Sequence, residues 1–122
     1  MPAQDPREPI AVIPAPWRDA VRRVLHSRAK DRIIVTVRAE HEWAMAFHDG
    51  YSWDLFVALE AALADAGLAG RRIADIRPPG EAYAFMFTHG GKRLYGKVNL
   101  ITSGPAVVMV VSAHTPNKGD SL

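Results

Sequence analysis

Arg93-Leu94-Tyr95-Gly96-Lys97-Val98-Asn99-Leu100-Ile101-Thr102 is the stretch on which the fold turns. Side chains of a strand repeat every two residues, so Arg93, Tyr95, Lys97 and Asn99 fall on one face. Leu94, Val98 and Leu100 fall on the other, where Gly96 interrupts the apolar side. Alternation of this kind describes a strand packed on one face and wet on the other, the habit of antiparallel sheets.

The neighbours of this stretch extend the sheet. Residues 71–76, 83–88 and 107–113 are also strand-like, and Pro78-Pro79-Gly80, Gly90-Gly91 and Ser103-Gly104-Pro105 are turn signals short enough to join antiparallel neighbours. Upstream, the β-branched run Ile33, Ile34, Val35, Thr36 and Val37 predicts an early strand over 32–37. The rest of the first half reads as helix. Trp17, Val21, Val24 and Leu25 recur at spacings of three and four, with Arg18, Arg22, Arg23 and Arg28 at the other positions. Residues 39–48, carrying Trp43, Met45 and Phe47, form a second helix in this reading, although their period is mixed. After the turn signal Asp49-Gly50, Ser52 caps a third helix with Leu55, Phe56, Leu59, Ala62 and Leu63 at helical spacing, ending at Gly67.

The order αβααββββ predicts an α+β fold: a single domain with N-terminal helices packed on one face of a mostly antiparallel sheet. The domain spans 17–114. Residues 1–16, with Pro2, Pro6, Pro9, Pro14 and Pro16, read as a flexible Pro-rich arm, and 115–122 as a flexible tail. A length of 122 residues, 48% of them hydrophobic, suits one buried core, in which Trp17, Trp43 and Trp53 are expected to pack. The absence of cysteine excludes disulfides, thiolate metal sites and a cysteine nucleophile. The chain shows no secretory signal, membrane span or long internal repeat, so a cytosolic protein without membrane association is expected.

Polar residues gather where the strands do: His89, Lys92, Arg93, Tyr95, Lys97, Asn99, Ser112, His114 and Lys118. A Tyr and a Lys projecting side by side from a sheet can hold a phosphate through a hydroxyl and a charge. An imidazole at the end of the last strand can exchange protons near neutral pH. The simpler account is that this face is only solvated. His41, with Glu40 and Glu42, could form a carboxylate–histidine pair, but such a run reads more simply as a helix's wet face, and His26 and His48 lack partners at metal-ligand spacing. No metal or other cofactor is expected, and Gly90-Gly91-Lys92 is a hairpin turn without the remaining residues of a phosphate loop. The net charge of +2 is mildly basic. Arg18, Arg22, Arg23, Arg28, Lys30 and Arg32, with Arg71, Arg72 and Arg77, could form a track for RNA phosphates without base specificity.

Leu94-Tyr95-Gly96-Lys97-Val98-Asn99-Leu100, followed by Val108-Met109-Val110-Val111-Ser112-Ala113-His114, resembles the small ribonuclease toxins of bacterial toxin–antitoxin modules, nearest the MqsR-like branch. Those toxins are similar in carrying a Tyr-x-Lys-hydrophobic strand, a turn and a final strand ending near a His or Lys. The resemblance implies a RelE-like ribonuclease fold and metal-independent cleavage of single-stranded or ribosome-presented messenger RNA. The substrate's own 2′-hydroxyl attacks the adjacent phosphate. By the same resemblance, Lys97 and Arg93 offset charge on the phosphoryl oxygens, Tyr95 positions the phosphate and His114 exchanges a proton. Lys92, Asn99, Ser112, Lys118, Arg22 and Arg23 are the expected substrate-binding residues, and a cognate antitoxin protein the expected partner. The chain departs from the pattern in its longer Pro-rich arm and its Thr115-Pro116-Asn117-Lys118-Gly119 tail.

Two readings of other classes accompany it. One is a noncatalytic protein-binding module, an antitoxin or an immunity protein, using the sheet edge and the Pro-rich arm. The other is an RNA-binding accessory domain that uses the arginine-rich helix alone.

Overall fold

The computed structural model describes residues 8–48 and 52–116 and begins on an element the sequence does not announce. Strand β1 (Ile10–Val12) pairs antiparallel with β3 (Ala69–Ile73), and the next residue, Ile13, is fully buried. Pro9 and Pro14 bracket it. Proline cannot donate to a ladder, which confines so short a strand to the sheet edge. The arm expected to run to residue 16 therefore gives way to ordered structure by Ile10.

Helix α1 (Ala15–Ser27) opens with Pro16 in its first turn, where a missing N–H leaves no bond unmade. It closes at Arg28 in the left-handed region, whose N–H reaches the Leu25 carbonyl. Trp17, Val21 and Leu25 are buried, as their spacing predicts. Strand β2 (Ile33–Val35) runs directly into α2 (Val37–Ala46), so the mixed period of that segment is resolved as helix. Helix α3 (Ser52–Leu63) stops short of Gly67. The Asp49-Gly50 turn and the side chains of Ser52 and Trp53 lie outside what is described. Strands β4 (Glu81–His89), β5 (Lys92–Ile101) and β6 (Val107–His114) complete the chain.

Among the described residues, three helices and six strands form one α+β domain, with sheet order β1-β3-β4-β5-β6-β2. All pairs are antiparallel except β2 with β6. Register separates the two faces. Phe85, Gly96 and Ala113 are opposite one another across three strands, as are Tyr83, Val98 and Val110. These residues face the helices and join Trp17, Leu25, Trp43 and Leu59 in the core. Gly96 makes room for an aromatic layer, since a Cβ there would stand 2.9 Å from the Phe87 ring. On the opposite face, Ile10, Arg71, Ala84, Lys97 and Ser112 form one row across five strands, and Met86, Tyr95 and His114 another. No helix among the described residues is long and apolar enough to cross a membrane.

Candidate functional site

A one-residue irregularity in β6 builds the site. Val98 pairs with Val110 while Lys97 pairs with Ser112, which leaves Val111 as an extra residue, a β-bulge. Without it, His114 would share the inward face with Leu94. With it, His114 stands opposite Tyr95 on the face that none of the described helices covers, the helix-free face, the two rings 5.2 Å apart and inclined by 31°.

Thr36 pins the bulge. Its hydroxyl donates to the Val111 carbonyl at 3.0 Å and accepts the N–H of Ala39 at 3.1 Å, so one side chain holds the bulge and caps α2. Helix α2 then runs beside the end of β6, beyond the last β2 pair. There Glu42 takes the place of a strand: its Oε1 accepts the Ala113 N–H at 3.1 Å and the Ser112 hydroxyl at 3.0 Å. Its Oε2 lies 3.3 Å from Arg38 Nε and 3.9 Å from His114 Nε2. On the other side of the ring, His114 Nδ1 is 2.7 Å from the Thr115 carbonyl, an acceptor that calls for a proton on Nδ1. Both side chains are half-buried, His114 14% and Glu42 18% exposed.

Tyr95 and Lys97 are also half-buried on this face, and Arg93 is exposed beside them, opposite Thr88. Among the described residues, Arg93 and Lys97 enter no ion pair. Lys97 rises between two small neighbours, Ala84 and Ser112. The four residues expected to carry chemistry, Arg93, Tyr95, Lys97 and His114, thus share one face, and the structure adds Glu42. The sequence marks it as a neighbour of His41 and by its place four residues after Arg38, the spacing of a helical ion pair, but not as a partner of His114.

The expected substrate-binding residues fare differently. Asn99 shares that face but is fully buried, its amide donating to the Pro78 carbonyl at 2.8 Å, so it anchors the Pro-Pro-Gly loop instead of meeting solvent. Ser112 is 2% exposed, its hydroxyl spent on Glu42. Lys92 bonds the Ala46 carbonyl at the end of α2 and lies over the Phe47 ring. His89 packs against Trp43 and Phe47 at the same end. Arg22 and Arg23 lie on α1, in the helical layer across the sheet from Tyr95. Lys118 lies outside the described residues.

Of the expected arginine track, two members turn inward and others are paired. Arg18 is buried and donates to the carbonyls of Leu63, at 2.8 Å, and Ile13, at 3.3 Å, tying α1 to the end of α3. Arg28 pairs with Glu60 at 2.9 Å, Arg72 with Glu8 at 3.8 Å, and buried Arg71 donates to the Glu8 carbonyl. These cations serve packing and local pairing.

Chemically, the helix-free face offers an imidazole with one nitrogen engaged and the other beside a carboxylate, a phenol stacked on it, and two cations two residues to either side of that phenol. It can bind an anion and move a proton. Among the described residues, no group of three His, Asp or Glu stands in position to hold a metal ion. No protein-family model, curated protein or solved structure matches the chain.

Proposed function

We propose that this protein is a metal-independent endoribonuclease, the toxin of a toxin–antitoxin pair with a RelE-like ribonuclease fold, cleaving messenger RNA in the cytosol. The observation that supports this reading is the pairing of Tyr95 and His114 on the helix-free face, flanked by Lys97 and Arg93. With Nδ1 donating to Thr115, His114 Nε2 takes the proton of a ribose 2′-hydroxyl. The 2′-oxygen bonds to the adjacent phosphorus, the bond from phosphorus to the 5′-oxygen breaks, and that oxygen takes a proton from water. Lys97 and Arg93 stabilise charge on the non-bridging oxygens, and the Tyr95 hydroxyl positions the phosphate. The products carry 2′,3′-cyclic phosphate and 5′-hydroxyl ends. A cognate antitoxin would cover this face.

The test is cleavage of a defined messenger RNA in excess EDTA, with and without ribosomes, followed by end analysis. Cyclic phosphate ends, lost in folded Tyr95→Phe and His114→Ala, are the expected result. Wild-type cleavage by both variants would refute the site, and no cleavage by the native chain would refute the ribonuclease. One observation favours a second reading, a noncatalytic protein-binding module: Ile10 and Val12 at one margin of this face, and Ile34 at the other, are exposed apolar side chains. Failure of all cleavage would leave that reading in possession.

A further inference from the structure

Glu42 is the one acidic side chain that both touches the backbone of β6 and faces His114 among the described ion pairs and hydrogen bonds. Its two oxygens are divided between two tasks. Oε1 is held by the Ser112 hydroxyl and the Ala113 N–H, two donors fixed in the sheet just past the bulge, which leaves the carboxylate little rotational freedom. Oε2 is thereby aimed at the space between Arg38 and His114. The imidazole stacked on Tyr95 then has an acceptor beside each nitrogen, the Thr115 carbonyl at Nδ1 and Glu42 at Nε2.

We infer that Glu42 is the positioning residue of His114: by accepting from Ser112 and Ala113 it fixes the end of β6 from which the ring reaches Tyr95, and it supplies the negative charge that balances the imidazolium formed when Nε2 takes a proton. The functional half of this inference rests on the ribonuclease reading; the structural half does not. At 3.9 Å, Oε2 is too far to occupy Nε2 with a hydrogen bond, so the nitrogen stays open to a substrate hydroxyl. It is close enough for the charge to act at once when the proton arrives, with no rearrangement of the site. Buried Ser112 becomes intelligible in the same terms, as the hydroxyl that orients Glu42, and Arg38 as the surface cation that keeps Oε2 from swinging outward.

Two variants separate the tasks. Glu42→Gln keeps the length and one acceptor oxygen for Ser112 and Ala113 but loses the charge; Glu42→Ala loses both, and Glu42→Asp replaces it if the alanine variant does not fold. Two readouts are taken: kcat and KM for RNA cleavage, and the nuclear Overhauser contacts between the His114 and Tyr95 ring protons. Glu42→Gln is expected to keep the ring contacts and KM while kcat falls by about 100-fold, the scale on which a misplaced or unbalanced catalytic group is felt. Glu42→Ala or Glu42→Asp is expected to lose or weaken the ring contacts. Wild-type kcat in Glu42→Gln, or undiminished ring contacts in the shortened variant, would overturn the inference. If the native chain cleaves no RNA, the ribonuclease reading falls by itself, and the ring contacts still decide whether Glu42 positions His114.

Discussion

Gly96→Ala tests the assignment of faces on which the site depends, because its sign differs between the two faces. A glycine within a strand is destabilising by roughly 0.5–1 kcal/mol relative to alanine, so on an open face the substitution stabilises. Here Gly96 faces the core, and the added Cβ would meet the Phe87 ring at 2.9 Å and the Phe85 ring at 3.6 Å. Phe85 is fully buried and Phe87 nearly so, which gives the rings little room to retreat. Forcing a methyl into such packing costs about 1–3 kcal/mol, and subtracting the backbone gain leaves a net loss centred on about 1 kcal/mol. For a domain of this size that is a fall in Tm of roughly 4–8 °C. The assay is urea unfolding followed by tryptophan fluorescence, where the midpoint should drop at unchanged slope. Phe87→Leu in the same chain should recover part of the loss, a coupling expected only between residues in contact. A Gly96→Ala protein as stable as the parent, or more so, would refute the register and turn Tyr95 and Lys97 into the core.

Two further outcomes follow from polar groups the fold has taken inward. Arg18→Met should lose about 2–3 kcal/mol in thermal unfolding, since the carbonyls of Leu63 and Ile13 lose their donor, and Arg18→Lys should recover little because an ammonium cannot span both; exposed Arg23→Ala should stay within about 0.5 kcal/mol of the parent. Burial pushes the Tyr83 phenol above its ordinary value of 10.0, and the adjacent Glu81 carboxylate, 3.2 Å from the hydroxyl, adds to the effect. A raised folded value means that the unfolded chain gives up this proton first, so the contribution is complete below about pH 10 and lost as pH rises through the folded value. The difference in Tm between the parent and Tyr83→Phe should therefore be flat up to about pH 10 and shrink above it; a difference that widens would contradict the burial of the phenol.

Most of the elements are legible in the sequence, where periodicity is strong and local. The alternation around Tyr95 and Lys97 places Arg93, Tyr95, Lys97 and Asn99 on a common face, and the register agrees. The spacing of Trp17, Val21 and Leu25 likewise predicts the buried stripe of α1. The misses have physical reasons. The four residues between Pro9 and Pro14 carry too little periodicity to announce β1, which is ordered by the neighbouring edge of β3 and by the burial of Ile13. Arg18 and Arg71 read as surface charge because composition does not record whether a guanidinium will find buried carbonyls. Asn99 shares a face with Tyr95, yet the 74–80 loop folds over it, and a loop's path is set by contacts distant in sequence.

By itself, then, the sequence determined the α+β class, the order of helices and meander, and the alternation that puts Tyr95 and Lys97 side by side, because each follows from side-chain spacing along a regular backbone. The tertiary structure alone decided that His114 joins them. One unpaired residue, Val111, reverses the facing of everything after it in β6, and it is held by the Thr36 hydroxyl, 75 residues away in the chain. The same docking of α2 brings in Glu42, which within its own helix has the look of a solvated acid. A period of two can be read from any strand, but the position at which it slips is set by the partner that satisfies the backbone there.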